Sequence, residues 1–135
     1  MKALLQTTAF AAALLLATAP ARAQTQAALT TQACDELTSA DQELNRLYQK
    51  ARQLYAGQAA FLAALKTSQV AWVRFRDAQA AALYPPPPAG TAGSAAPQCR
   101  CRAVAALTTA RNAQLQAWVA GQEEGDVCAG SIRRR

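Results

Sequence analysis

Four cysteines, eight carboxylates and no histidine set the chemistry open to this chain of 135 residues. Without an imidazole there is no side chain that ordinarily titrates near neutrality to serve as general base. No serine or threonine has an evident activating partner. Asp35 or Glu36 could meet Glu43 across the fold, and Glu123 could meet Glu124. Helix-terminus electrostatics account for the first group more economically, and solvation for the second. The chain therefore reads as a non-enzyme, with no cofactor.

The cysteines point to covalent structure instead. Cys34, Cys99, Cys101 and Cys128 are an even set, which in an exported chain reads as two disulfides. Cys99 and Cys101 are too close in sequence to pair well with each other. The expected bridges join Cys34 to one of them and Cys128 to the other. A metal site built on Cys99 and Cys101 has no histidine to complete it, so none is predicted. The spacings of a redox CxxC and of a haem-attachment CxxCH are both absent.

A different kind of chemistry lies in two polar helical stripes. Asp41, Asn45, Tyr48 and Arg52 recur on one face of a first segment, and Leu65, Gln69, Trp72 and Arg76 on one face of a second. A buried amide or guanidinium costs free energy unless it is paired, so such stripes need partners. Counting back from the turn at Gly57 sets Asn45 level with Gln69, and Asp41 level with Arg74 or Arg76. A third helix would bring Thr108 and Arg111 to similar heights. The expectation is a polar layer of Asp41, Asn45, Gln69, Arg76, Asp77, Thr108 and Arg111, with Tyr48 and Trp72 packed against it. Such a layer can fix helix register, or part of it can be an exposed recognition site.

Three helices must position these groups. The first is predicted from Ser39 to Tyr55, with Ser39 and Gln42 in capping-box positions and an apolar stripe of Ala40, Leu44, Leu47, Ala51 and Leu54. The second is predicted from Gln58 to Leu83, stopped by Pro85, Pro86, Pro87 and Pro88, which cannot donate the helical hydrogen bond. The third is predicted from Gln98 to Ala120, with Cys101, Val104, Thr108, Arg111, Leu115 and Trp118 along one side and Gly121 closing it. The fold class is all-α: a small antiparallel three-helix bundle, stabilised by disulfides. Tyr84 to Pro97 forms a long Pro/Gly-rich loop containing Gly93 and Ser94, extended at first and flexible later.

Lys2, the apolar run from Ala9 to Ala17 and the small-x-small site Ala21-Arg22-Ala23 have the layout of a cleavable secretory signal, giving residues 1–23 as leader. The run is too short for a transmembrane helix. The predicted product is soluble, periplasmic or secreted, with a helical domain over 24–130 and a basic disordered tail over 131–135. The net charge of +6 falls to +4 without Lys2 and Arg22, and Arg133, Arg134 and Arg135 hold three of those charges. A body so close to neutral offers no basic groove for nucleic acid.

The segment ADQELNRLYQK, with Asp41, Leu44, Asn45 and Tyr48, and the segment QVAWVRFRDA, with Gln69, Trp72, Phe75, Arg76, Asp77 and Ala78, resemble the signature of the LprI-type lysozyme-inhibitor domain family. Gly93-Ser94 in the loop, Thr108, Arg111 and Leu115, and the acidic run Glu123 to Asp126 before Cys128 are similar to weaker family features. The similarity extends from about Ala33 to Cys128. Members often carry cysteines where this chain has Ala80 and Gln122, so the family's disulfide pairing does not transfer. The resemblance implies a small secreted helical protein that binds a lysozyme and blocks its cleft, with Tyr84 to Pro97 as the segment to insert. The alternative partner is another envelope protein, bound by a structural or adaptor protein with no action on lysozyme.

Overall fold

The computed structural model describes residues 25–89, 91 and 93–135; the leader expected over residues 1–23 lies outside them. Among the described residues the fold is all-α, with α1 over Gln26–Leu54, α2 over Ala59–Leu83 and α3 over Ala96–Ala120. None of these helices is long and apolar enough to cross a membrane.

The second and third helices lie within two residues of their expected bounds, but α1 begins 13 residues before Ser39. Thr25 is the actual N-cap, its side chain accepting from the Ala28 amide at 3.2 Å. Ser39 lies mid-helix, its hydroxyl donating to the Asp35 carbonyl at 2.9 Å, so the apparent capping box is not used. Thr30, Thr31, Thr38 and Ser39 lower the helix propensity of this stretch. Packing overrides that weakness: Ala33 is buried, and Cys34 is bonded to Cys101 on α3.

Contacts along α1 and α3 rise together. The side-chain amides of Gln26 and Gln98 meet at 2.8 Å, Cys34 joins Cys101, Asn112 Nδ2 donates to the Ala40 carbonyl at 3.0 Å, and the Tyr55 hydroxyl donates to the Trp118 carbonyl at 3.3 Å. Along α2 the order is reversed: Phe61 stacks near Tyr55 and Trp118, whereas Arg76 reaches Asp41 and Thr108. Leu44, Leu47, Ala51, Leu65 and Leu115 form the apolar centre, with Tyr48, Phe61, Trp72, Trp118 and Val119 packed around it. Leu54, expected on the inner stripe, is 38% exposed, and Tyr55 is buried in its place.

The covalent structure differs from the expected two bridges. Cys34–Cys101 is present, while Cys99 and Cys128 are free thiols. Cys99 lies in the first turn of α3 and Cys128 beyond its last, and a helix of that span separates them by about 30 Å. A disulfide needs Cα atoms within about 7 Å, so these two cannot join within one folded chain.

The tail is also not the frayed segment expected for residues 131–135. The Gln122 amide donates to the Arg133 carbonyl at 2.9 Å, the Arg135 amide to the Gln122 carbonyl at 3.1 Å, and the Arg133 amide to the Tyr55 hydroxyl at 2.7 Å. The Arg133 guanidinium donates to the Val119 carbonyl at 2.8 Å, placing a cation at the negative end of α3. This return requires Gly121, whose φ is +75° and whose missing Cβ would lie 2.9 Å from the Arg133 carbonyl oxygen.

Two outcomes are expected. Peptide mapping under non-reducing conditions gives one Cys34–Cys101 bridge and two alkylatable thiols, and loss of that bridge, which spans 67 residues, lowers stability by roughly 4 kcal/mol. Gly121→Ala lowers it by about 1–2 kcal/mol through strain at positive φ, read as a fall in the thermal midpoint.

Candidate functional site

The polar groups expected to form one layer separate into two arginine-centred clusters. In the first, Arg76 projects from α2 with 15% of its side chain exposed. Its Nη1 donates to Asp41 Oδ1 on α1 at 2.8 Å and approaches Thr108 Oγ1 on α3 at 3.5 Å, the outer limit of a hydrogen bond. Its Nε donates to Asp77 Oδ1 at 3.1 Å, and the guanidinium lies 5.3 Å from the centre of the Trp72 ring. One side chain thus touches all three helices. Taking a guanidinium out of water costs several kcal/mol, offset here by a carboxylate and an aromatic face. Asp41 is the less screened partner of the two, 42% exposed against 61% for Asp77 and closer to the guanidinium.

In the second cluster, Arg111 of α3 is buried and has no acid partner among the described residues. Its Nε donates to Gln69 Oε1 at 3.0 Å, Nη2 to Ser68 Oγ at 3.1 Å and Nη1 to Gln114 Oε1 at 2.8 Å. Burial without an anion holds its pKa below the ordinary guanidinium value. Every guanidinium nitrogen nevertheless has an acceptor, so the cluster is satisfied and ties α3 to α2.

Asn45 does not join either cluster. It is exposed on α1, because the residues that turn inward there are Leu44 and Leu47. Tyr48 and Trp72 are half-buried against the apolar centre, and Phe75 of the same motif is 53% exposed. Arg74, an alternative partner for Asp41, lines the outer face of α2 instead.

Ser68 and Gln114 are cluster members that sequence reasoning missed, and Asn112 is a buried polar residue outside both clusters that it also missed. Asn112 lies one turn after Thr108 on the stripe of Val104 and Thr108, and that spacing could have revealed it. Its amide nitrogen is bonded to Ala40, while its Oδ1 is buried without a hydrogen-bond partner.

Tyr84 is half-buried at the end of α2, and Pro85 to Pro88 are all exposed. Tyr84, Pro85, Pro86, Pro87 and Pro97 border an apolar groove of about 560 Å3 that Arg100 closes. Gly93 and Ser94 are exposed beyond a turn in which the Thr91 amide donates to the Pro88 carbonyl at 3.1 Å. Pro97, expected in the loop, falls in the first turn of α3, where proline is tolerated. No group of three or more Cys, Asp or Glu is placed to hold a metal among the described residues.

If Arg76 fixes the relation of the helices, Arg76→Ala lowers unfolding free energy by about 1–3 kcal/mol, since half-exposed Asp41 regains some water. Asp77→Ala changes it by less than about 0.5 kcal/mol. Denaturant melts of these variants and of Asp41→Ala measure this, and equal effects of Asp41→Ala and Asp77→Ala would refute the ranking of the two acids.

A family model described as Lysozyme inhibitor LprI matches residues 17–115, most of the chain, including both arginine clusters but not the returning tail. The acidic run before Cys128 lies beyond that match. No curated protein and no solved structure matches the chain. The chain belongs to the LprI lysozyme inhibitor family.

Proposed function

We propose that this chain is an exported, soluble antiparallel three-helix protein that binds a muramidase and blocks its cleft, using the segment from Tyr84 to Pro97. The observation that carries the reading is membership of a family described by lysozyme inhibition. The exposed prolines supply the instrument. A cleft built for an extended glycan accepts an extended chain better than a helix face, and proline reduces the ordering cost of insertion. The two arginine clusters have the structural role in this reading, holding α2 so that its C-terminal end presents the segment.

A second reading, a periplasmic adaptor that binds an envelope partner through a helix surface, is favoured by one feature. Phe75 and Val70 on α2 are 53% and 46% exposed, apolar side chains that such a surface would use.

Lysozyme activity measured with and without the oxidised protein separates the two. Replacing Tyr84 to Pro97 by a Gly-Ser linker is expected to abolish inhibition while helicity is retained. Inhibition that survives the replacement would remove the segment from the mechanism, and no inhibition of any lysozyme by the intact protein would favour the adaptor. Export predicts a mature chain starting at Gln24, and intact mass of protein from the envelope fraction checks this; a retained leader would contradict it.

A further inference from the structure

Tyr48, Arg52, Leu62, Ala63 and Lys66 line an open groove of about 370 Å3 between the C-terminal half of α1 and the start of α2. It lies where these two helices part, since α1 packs chiefly along α3. Neither function considered above uses this groove, and it is remote from the segment after Tyr84.

The two charged residues that line it, Arg52 and Lys66, are both cations. Arg46 is neutralised by Glu43 at 2.6 Å, and Arg76 by Asp41 at 2.8 Å and Asp77 at 3.1 Å. Arg52 and Lys66 have no carboxylate within ion-pair distance among the described residues. Arg52 donates only to the neutral Gln49 Oε1 at 3.2 Å, and its guanidinium lies 5.9 Å from the centre of the Tyr48 ring. Two cations therefore border one concavity that contains no acid. Leu62, half-buried, and Ala63 give it an apolar wall, and beyond Arg52 the surface continues as a second groove of about 350 Å3 past Gln53 and Ala56. A carboxylate in this concavity would meet a cation on either side and make charge-assisted hydrogen bonds to Arg52.

We propose that this groove binds a small ligand bearing a carboxylate beside an uncharged body, with the carboxylate taken by Arg52 and Lys66 and the body resting on Leu62 and Tyr48. A sugar acid and an acidic peptide share that chemistry. Salt weakens the interaction, because both cations are exposed.

The test is a titration of the isotopically labelled, oxidised protein, following the Tyr48 ring and Lys66 side-chain resonances. The probes are D-glucuronate, D-glucose as its uncharged counterpart, and N-acetyl-glutamyl-glutamate amide. Saturable shifts with a carboxylate probe, absent with glucose and weakened at least five-fold in the Arg52→Gln/Lys66→Gln variant, are expected. Both substitutions are at exposed helix positions, and circular dichroism verifies that the variant is folded. A response to glucuronate alone assigns a glycan source, to the peptide alone a peptide source, and to both a site that reads the carboxylate itself. No saturable shift with either acid, an equal response to glucose, or unchanged affinity in the variant overturns the proposal.

Discussion

The ion pair between Arg76 and Asp41 sets where α2 sits against the other two helices, because α2 buries little apolar surface to fix its register. The α1–α3 pair is secured by the Cys34–Cys101 bridge, by Leu44, Leu47 and Ala51 against Leu115, and by the return of Arg133 to Tyr55. On α2 only Leu65 and Ala80 are buried. A helix that buries so little apolar surface gains little from the hydrophobic effect and depends on directional contacts for its register. Arg76 supplies them near one end and Arg111, reaching across from α3, near the middle. Phe61 anchors the other end against Tyr55 and Trp118.

In the proposed inhibitor reading, this division of labour links fold to function. The segment after Tyr84 leaves α2 one turn beyond Ala80, so its position follows from where α2 is held. A shift of α2 by one turn would separate Arg76 from Asp41 and Arg111 from Gln69 together, since both clusters are read from the same helix. The polar groups thus make alternative registers expensive, while contributing modest stability themselves. The family motif residues around Gln69 to Asp77 are concentrated where this selection of register takes place, with Phe75 and Asp77 exposed.

Much of this was legible in the sequence, for identifiable reasons. Helical spacing and a short turn set Asp41 level with Arg74 or Arg76 and brought Gln69 and Arg111 into one layer, because buried polar groups must be paired, but they did not choose between the two arginines or pair Gln69 with Arg111. Asn45 failed the same counting: its neighbours Leu44 and Leu47 take the inward positions, and one helix face cannot bury all three. The start of α1 was missed because threonines and a serine mimic a capping site, whereas packing on α3 extends the helix through them. The second disulfide was an inference from an even cysteine count. Chain distance conceals that Cys99 lies in the first turn of a 25-residue helix and Cys128 beyond its far end. The tail's return depends on Gly121 at positive φ and on a long-range bond to Tyr55, neither of which leaves a local periodic signal.

The most direct test of the account is a double-mutant cycle on Arg76→Ala and Asp41→Ala, with unfolding free energies measured in denaturant for the wild type, both single variants and the double. If the pair sets the position of α2, the two substitutions are coupled by about 1 kcal/mol or more. Additive effects, with coupling indistinguishable from zero, would contradict it and leave the packing of Leu65 and Phe61 as what holds the helix in place.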